Sequence, residues 1–196
     1  MYEAKKYDHL LGTPGFSDTL LKNHFTLYEG YVKNFNALND LLVGMEKEGT
    51  VGTPIDAELN RRFGWEFNGM RLHELYFENM KNGGVALSET ELKKSILEEW
   101  GSMAAWEKDF RTMGAMRGIG WVIVYYDRTA KRTFNVWVNE HDMGHLATCV
   151  PLLVMDVFEH AYITDYGIKR ADYIEAFFKA IDWEAVNARF EALKAK

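Results

Sequence analysis

A single cysteine, Cys149, is all that the 196 residues contain. That excludes an intramolecular disulfide framework and a cysteine-rich zinc site. Lying in the apolar run Ala147-Thr148-Cys149-Val150-Pro151-Leu152-Leu153-Val154, it reads as a small buried hydrophobe. Basic residues are in deficit, 23 Lys and Arg against 29 Asp and Glu, for a formal net charge of -6. A general nucleic-acid binder needs clustered cations to neutralise phosphates, so the charge argues against that class. No apolar run approaches the roughly twenty residues of a membrane-spanning helix, and no N-terminal signal pattern is present. The expectation is a cytoplasmic protein with neither a nucleic-acid nor a membrane partner.

What is there is a globular composition: 47% hydrophobic and 27% charged residues, on a length suited to one domain or two small lobes. Six Trp, ten Tyr and twelve Phe are many for this length. They read as a bulky core or as aromatics crowded round a buried site.

The spacing of Leu20, Leu21, His24, Leu27, Tyr28, Tyr31, Val32, Phe35, Leu38 and Leu42 predicts a helix with one buried face, started by Ser17-Asp18. Gly49 to Pro54 breaks it. A second helix carries Leu59, Phe63, Phe67, Met70, His73, Leu75, Tyr76, Phe77 and Met80, and is expected to end at Asn82-Gly83-Gly84. That glycine pair divides a helical hairpin, 1–83, from a second lobe, 84–196. The second lobe starts with a charged helix from Ser88-Glu89-Thr90-Glu91 to about Glu99 and another from about Ser102 to Met113. Gly120 to Tyr126 and Thr133 to Val138 alternate as a hairpin, Cys149 to Val154 makes a third strand, and the C-terminal forty residues return to helical spacing. The fold class is α+β: an N-terminal α-helical hairpin packed on a C-terminal α/β lobe with a three-stranded antiparallel sheet.

His24 and His73 fall on the apolar faces of adjacent helices. A buried neutral imidazole needs a partner for each nitrogen, and a shared cation would serve one nitrogen of each. Asp156 and His160, four residues apart after the third strand, sit in an apolar run and can converge on the same ion. Three imidazoles and a carboxylate without thiolate suit iron, manganese or zinc. Zinc with Glu159 as general base, a hydrolase, stays open on chemistry, although the His-Glu-x-x-His helix that favours it is missing.

Taken in order, these segments resemble the iron/manganese superoxide dismutase family along nearly the whole chain. Asp156-Val157-Phe158-Glu159-His160-Ala161-Tyr162 matches the family's D-x-[WF]-E-H-A-[FY] signature, preceded by Pro151-Leu152-Leu153. Asn68 to Tyr76 resembles the second-helix histidine segment, and Gly118-Ile119-Gly120-Trp121 the family's G-S-G-W. Tyr31-Val32 with Asn34 or Asn36 resembles the first-helix Y-V-x-x-x-N, and Arg170 follows Asp165-Tyr166 as an arginine near the substrate funnel does.

The resemblance implies an antioxidant enzyme with one iron or manganese ion per subunit, held between the lobes by His24, His73, Asp156 and His160, with water or hydroxide as fifth ligand. The ion would alternate between trivalent and divalent states, turning superoxide into dioxygen and hydrogen peroxide. Many family members carry a glutamine that bonds the metal-bound solvent; here its second-helix location is Gly69, and the chain has no glutamine at all. His141 is expected in its place, with His145 as competitor. Tyr31 resembles the gateway tyrosine, and Arg170 the attractive charge. Phe77, Trp121 and Phe158 would form an aromatic shell, and Glu159 would meet His160 of a second subunit, with Tyr162 nearby, in a homodimer or dimer of dimers. Two departures stand out. Seven positions separate His24 from Tyr31, one fewer than in the family, which predicts a plain helix without a bulge. Leu27-Tyr28 replace the histidines that often follow the first ligand.

Overall fold

The computed structural model describes residues 1–193; positions 194–196 of the expected second lobe lie outside the described residues. After a short turn at Asp8–Leu10, α1 spans Asp18–Glu48. The Ser17 side chain accepts a hydrogen bond from the Leu20 N–H at its start, and Gly49 ends it with a left-handed φ of 70°. It runs as uninterrupted α-helix, the plain geometry predicted from the seven-residue interval.

α2, Pro54–Glu78, starts under the Thr53 cap with proline in its first turn, where a missing N–H costs nothing. It stops at Asn79, short of the predicted Asn82-Gly83-Gly84 end. The cause is tertiary. The buried Asn79 side chain accepts from the Val154 N–H and donates to the Val154 carbonyl, tying the helix end to a strand. Met80 then pairs with Ile181 in an isolated bridge instead of continuing the helix.

α3 (Glu91–Trp100) and α4 (Met103–Gly114) are capped by Thr90 and Ser102. β1 (Gly120–Asp127) and β2 (Arg132–Asn139) form the expected hairpin, and β3 (Val150–Asp156) pairs with the other edge of β1, giving the antiparallel order β2-β1-β3. The third strand therefore sits later than predicted. Thr148 takes a left-handed φ of 67° and turns the chain just before it, which leaves Cys149 half-buried rather than in the core. At the other end Asp156 belongs to the strand, opposite Trp121 in the register. A turn at Glu159–Ala161 leads to α5 (Ile163–Tyr166), α6 (Arg170–Ala180) and α7 (Trp183–Glu191).

α1 and α2 pack on each other; α2 and α7 also lie on β3, and α4 on β1 and β2. Covered on both faces, β1 is buried from Gly120 to Tyr125. The architecture is the α+β arrangement expected. Among the described residues, no helix is long and apolar enough to cross a membrane.

Candidate metal centre

Four elements deliver one side chain each to a common point. His24 comes from α1, His73 from α2, Asp156 from the last position of β3, and His160 from the turn that follows. One nitrogen or oxygen of each lies within 4.8 Å of all the others. The Nε2 atoms of His160, His24 and His73 stand 3.0, 3.2 and 3.6 Å from the same oxygen, Oδ2 of Asp156. His24, His73 and Asp156 are buried, and His160 is partly covered.

The tautomer of His73 follows from its other nitrogen. Nδ1 lies 2.5 Å from the Gly69 carbonyl, an acceptor, so Nδ1 carries the proton and Nε2 presents a lone pair inward. His24 Nε2 is buried without a partner in hydrogen-bond geometry, its approach to Asp156 notwithstanding. The inward lone pair of His73 beside the Asp156 carboxylate, and the unpartnered Nε2 of His24, are costly to bury unless a cation sits among them. The residues present therefore fit a metal ion with nitrogen and oxygen donors.

The electrostatics agree. Burial opposes ionisation of Asp156, but His160 and His24 outweigh it and hold the carboxyl well below the usual range. Burial keeps His24 neutral against the pull of Asp156, and burial together with the neighbouring His24 does so more strongly for His73. A charged carboxylate facing neutral imidazoles is the protonation state a cation needs.

Beside this cluster a hydrogen-bonded chain leads away. Tyr31 Oη lies 2.7 Å from His141 Nε2, and the Trp121 indole N–H donates to His141 Nδ1 at 3.1 Å. His141 is buried, which lowers its pKa to about 4, and burial likewise raises that of Tyr31. His145 stands apart. Its Nε2–H donates to the His141 carbonyl at 2.8 Å, and its Nδ1 accepts from Tyr125 at 2.6 Å, so it braces the loop that presents His141.

Of the predicted aromatic shell, Phe77 packs edge-on against His24 at 4.9 Å and Trp121 edge-on against His73 at 5.0 Å. Phe158 stacks on both His141 and His160. Arg170 is elsewhere: it donates to the carbonyls of Met116 and Gly118 and to the Tyr162 hydroxyl, none of them in the cluster. Tyr162 stacks on Tyr173, and Glu159 is exposed.

Three neighbours escaped the sequence reading. Tyr173 donates to the Asp156 carbonyl at 2.6 Å and meets the Tyr76 hydroxyl at 3.2 Å, while the Tyr76 ring lies 5.3 Å from that of His24. Trp65 stands 4.5 Å from the His141 ring and 5.6 Å from that of Tyr31. Only the α2 pair had a signal, their position on the helix, and aromatics are too frequent here for that to single them out.

A buried centre of three imidazoles and one carboxylate, set beside a three-stranded antiparallel sheet and a helical hairpin, defines a metalloprotein with a redox-capable donor set. Comparison with known proteins makes this specific. Residues 88–189 match the family of iron/manganese superoxide dismutases, C-terminal domain. The chain is 35% identical to superoxide dismutase [Mn] 2 of Haloferax volcanii over 95% of its own length and 92% of that protein's. It is 34% identical to superoxide dismutase [Fe] of Aquifex pyrophilus over 100% of its length and 95% of that one. It is also 34% identical to superoxide dismutase [Fe] of Cupriavidus metallidurans, over 91% and 90%. The chain belongs to the iron/manganese superoxide dismutase family.

Proposed function

We propose that the chain is a superoxide dismutase that holds one iron or manganese ion per subunit on His24, His73, Asp156 and His160. The observation that carries this is the convergence of three Nε2 atoms on Asp156 Oδ2 in a member of this family. When bound, the ion supplies one-electron chemistry by alternating between its trivalent and divalent states. The net reaction consumes two superoxide anions and two protons and yields dioxygen and hydrogen peroxide.

The protein's own part is to position, dry and protonate. Phe77, Trp121 and Phe158 exclude water, which strengthens every charge interaction inside. Asp156 contributes the negative charge that favours the higher oxidation state. Trp121 donates to Nδ1 of His141, so the neutral imidazole carries its proton on Nε2 and directs it at the Tyr31 oxygen. The Tyr31 hydroxyl proton is then free to be given to an oxygen arriving at the centre. In this reading His141 stands where many relatives have glutamine but acts through Tyr31, because both of its ring nitrogens are engaged.

Glu159 fits a two-fold contact with His160 of a second subunit: Glu159 and the neighbouring Ile163 and Ile168 are exposed, and His160 is reachable from the surface, with the buried Tyr162 close behind. The reading is a homodimer or a dimer of dimers. A hairpin lobe at 1–83 and an α/β lobe at 84–196 are supported by the start of the matched C-terminal domain at residue 88. The zinc-hydrolase alternative loses its base, because Glu159 has no hydrogen bond or ion pair with the cluster among the described residues.

Metal analysis of purified protein, with superoxide decay measured on separately iron- and manganese-loaded samples, tests the reading. Activity that follows loading with either metal is expected. Stoichiometric zinc and an untouched radical anion would reject it.

A further inference from the structure

Among the described residues three that are not glycine take a left-handed φ: Lys131 at 56°, Glu140 at 49° and Thr148 at 67°. Lys131 turns the β1–β2 hairpin, and Thr148 precedes β3. Glu140 stands beside the centre, directly before His141. Glutamate has neither the missing Cβ of glycine nor the short polar side chain of asparagine that ease this conformation. Such a backbone persists only where its surroundings fix it.

The surroundings are specific. Asn139 ends β2 and exchanges backbone hydrogen bonds with Met143, at 2.8 and 3.3 Å, which closes Glu140-His141-Asp142 into a loop. The Glu140 N–H donates to the Ile119 carbonyl at 3.2 Å. Its carboxylate accepts from the Trp65 indole N–H, also at 3.2 Å, a bond that crosses from the loop to α2, 75 positions away. Trp65 is itself seated. The Arg62 guanidinium lies 3.6 Å from its ring centre and is tied through Nε to Glu66 at 2.9 Å.

The Trp65 ring stands edge-on to that of His141 at 4.5 Å, and Phe158 stacks on the same imidazole at 4.8 Å. The two ring nitrogens are taken by Trp121 and Tyr31. Of these four aromatic side chains, Trp65 alone also bonds a second residue of the loop, Glu140. Proton transfer needs donor and acceptor within about 2.6–3.2 Å, so a small rotation of the imidazole would break its line to the Tyr31 oxygen.

We propose that Trp65 and Glu140 are positioning residues: their hydrogen bond clamps the left-handed turn and so holds His141 in line between Trp121 and Tyr31. This deepens the dismutase reading, resting on it for the use of the proton but not for the alignment of the ring.

Two readouts test it: superoxide decay per bound metal, and the ring-nitrogen NMR signals of His141 in the metal-free chain, assigned by their loss in His141→Gln. Trp65→Phe keeps a ring without the donor, and Glu140→Ala removes the acceptor. Each is expected to lower activity about tenfold or more, the scale of losing an outer partner of a metal site, with metal content retained. In each, the single wild-type tautomer, protonated on Nε2, should give way to a mixture. The double variant should lose no more than the worse single one, because both remove the same bond. Glu140→Gln keeps an acceptor and should recover most of the loss. Glu140→Gly separates backbone from side chain: it should regain the urea stability lost in Glu140→Ala, but neither the activity nor the single tautomer. It also stands in if the alanine variant does not fold. Activity restored by glycine would show that the turn alone matters and would overturn the proposal. So would an unchanged tautomer in both single variants, or losses that multiply in the double. If the wild-type holoenzyme leaves superoxide untouched, the dismutase reading fails, and the NMR signals still decide whether the clamp holds His141.

Discussion

The indole N–H of Trp121 points at Nδ1 of His141 from 3.1 Å, and because an indole can only donate, it fixes the tautomer of that histidine. Trp121 also faces His73 and pairs with Asp156 across the sheet, so one residue sets both the wall of the centre and the proton position in its neighbour.

Replacing Trp121 with Phe keeps a ring but removes the donor. Activity per bound metal is expected to fall about tenfold or more, as loss of outer partners of metal sites does, with metal content retained. Superoxide decay normalised to metal analysis measures it, and unchanged specific activity would dismiss the role of the tautomer.

Gly69 gives room to Tyr31. A Cβ built there lies 2.5 Å from Tyr31 Cδ1, a separation atoms do not adopt. Gly69→Ala is expected to push the phenol away from His141 and to cost about 1–3 kcal/mol of stability by overpacking. Urea unfolding reads the second effect and a crystal structure of the variant the first.

Acid should weaken the metal-free fold, partly through His141. Burial lowers its pKa from 6.5 to about 4, so between those values the unfolded chain binds more protons than the folded one. Stability is therefore lost as pH falls through that window, by about 3 kcal/mol at most from this group. His141→Gln should flatten the loss by a comparable amount. Urea titrations of both metal-free proteins above pH 6.5 and near pH 4 would show it, and parallel curves would refute it.

Asp156→Asn leaves the shape but removes the one anion at the centre. Metal content of the purified protein is expected to drop about tenfold or more, since even outer-shell losses reach that scale. Full occupancy by elemental analysis would mean the ion sits elsewhere.

Much of this arrangement was written in local patterns. His24 and His73 stood out as imidazoles on apolar helical faces, and the Asp156–His160 spacing survived although Asp156 closes the strand instead of following it. The caps at Ser17, Thr90 and Ser102 and the β1–β2 hairpin carry short-range chemistry that a sequence displays directly. What was hidden depends on distant partners. Asn79 ends α2 early because Val154, 75 positions away, bonds its side chain. Tyr173 reaches Asp156 from α6, and Trp65 reaches His141 from α2, with no spacing rule to announce either. Cys149 sits in an apolar run yet is half-exposed, because the left-handed Thr148 turns the chain first.

The unbroken α1 and the remote β3 bear on when an ion can be caught. His24 and His73 are 49 positions apart, and Asp156 follows 83 positions later, so an unfolded chain offers at most the Asp156–His160 pair as a local grip. Once the elements have docked, His73 and Asp156 have no exposed surface through which an ion could be traded. Of the four donors His160 alone keeps partial exposure, so an ion meeting the folded protein would reach the centre past that side chain.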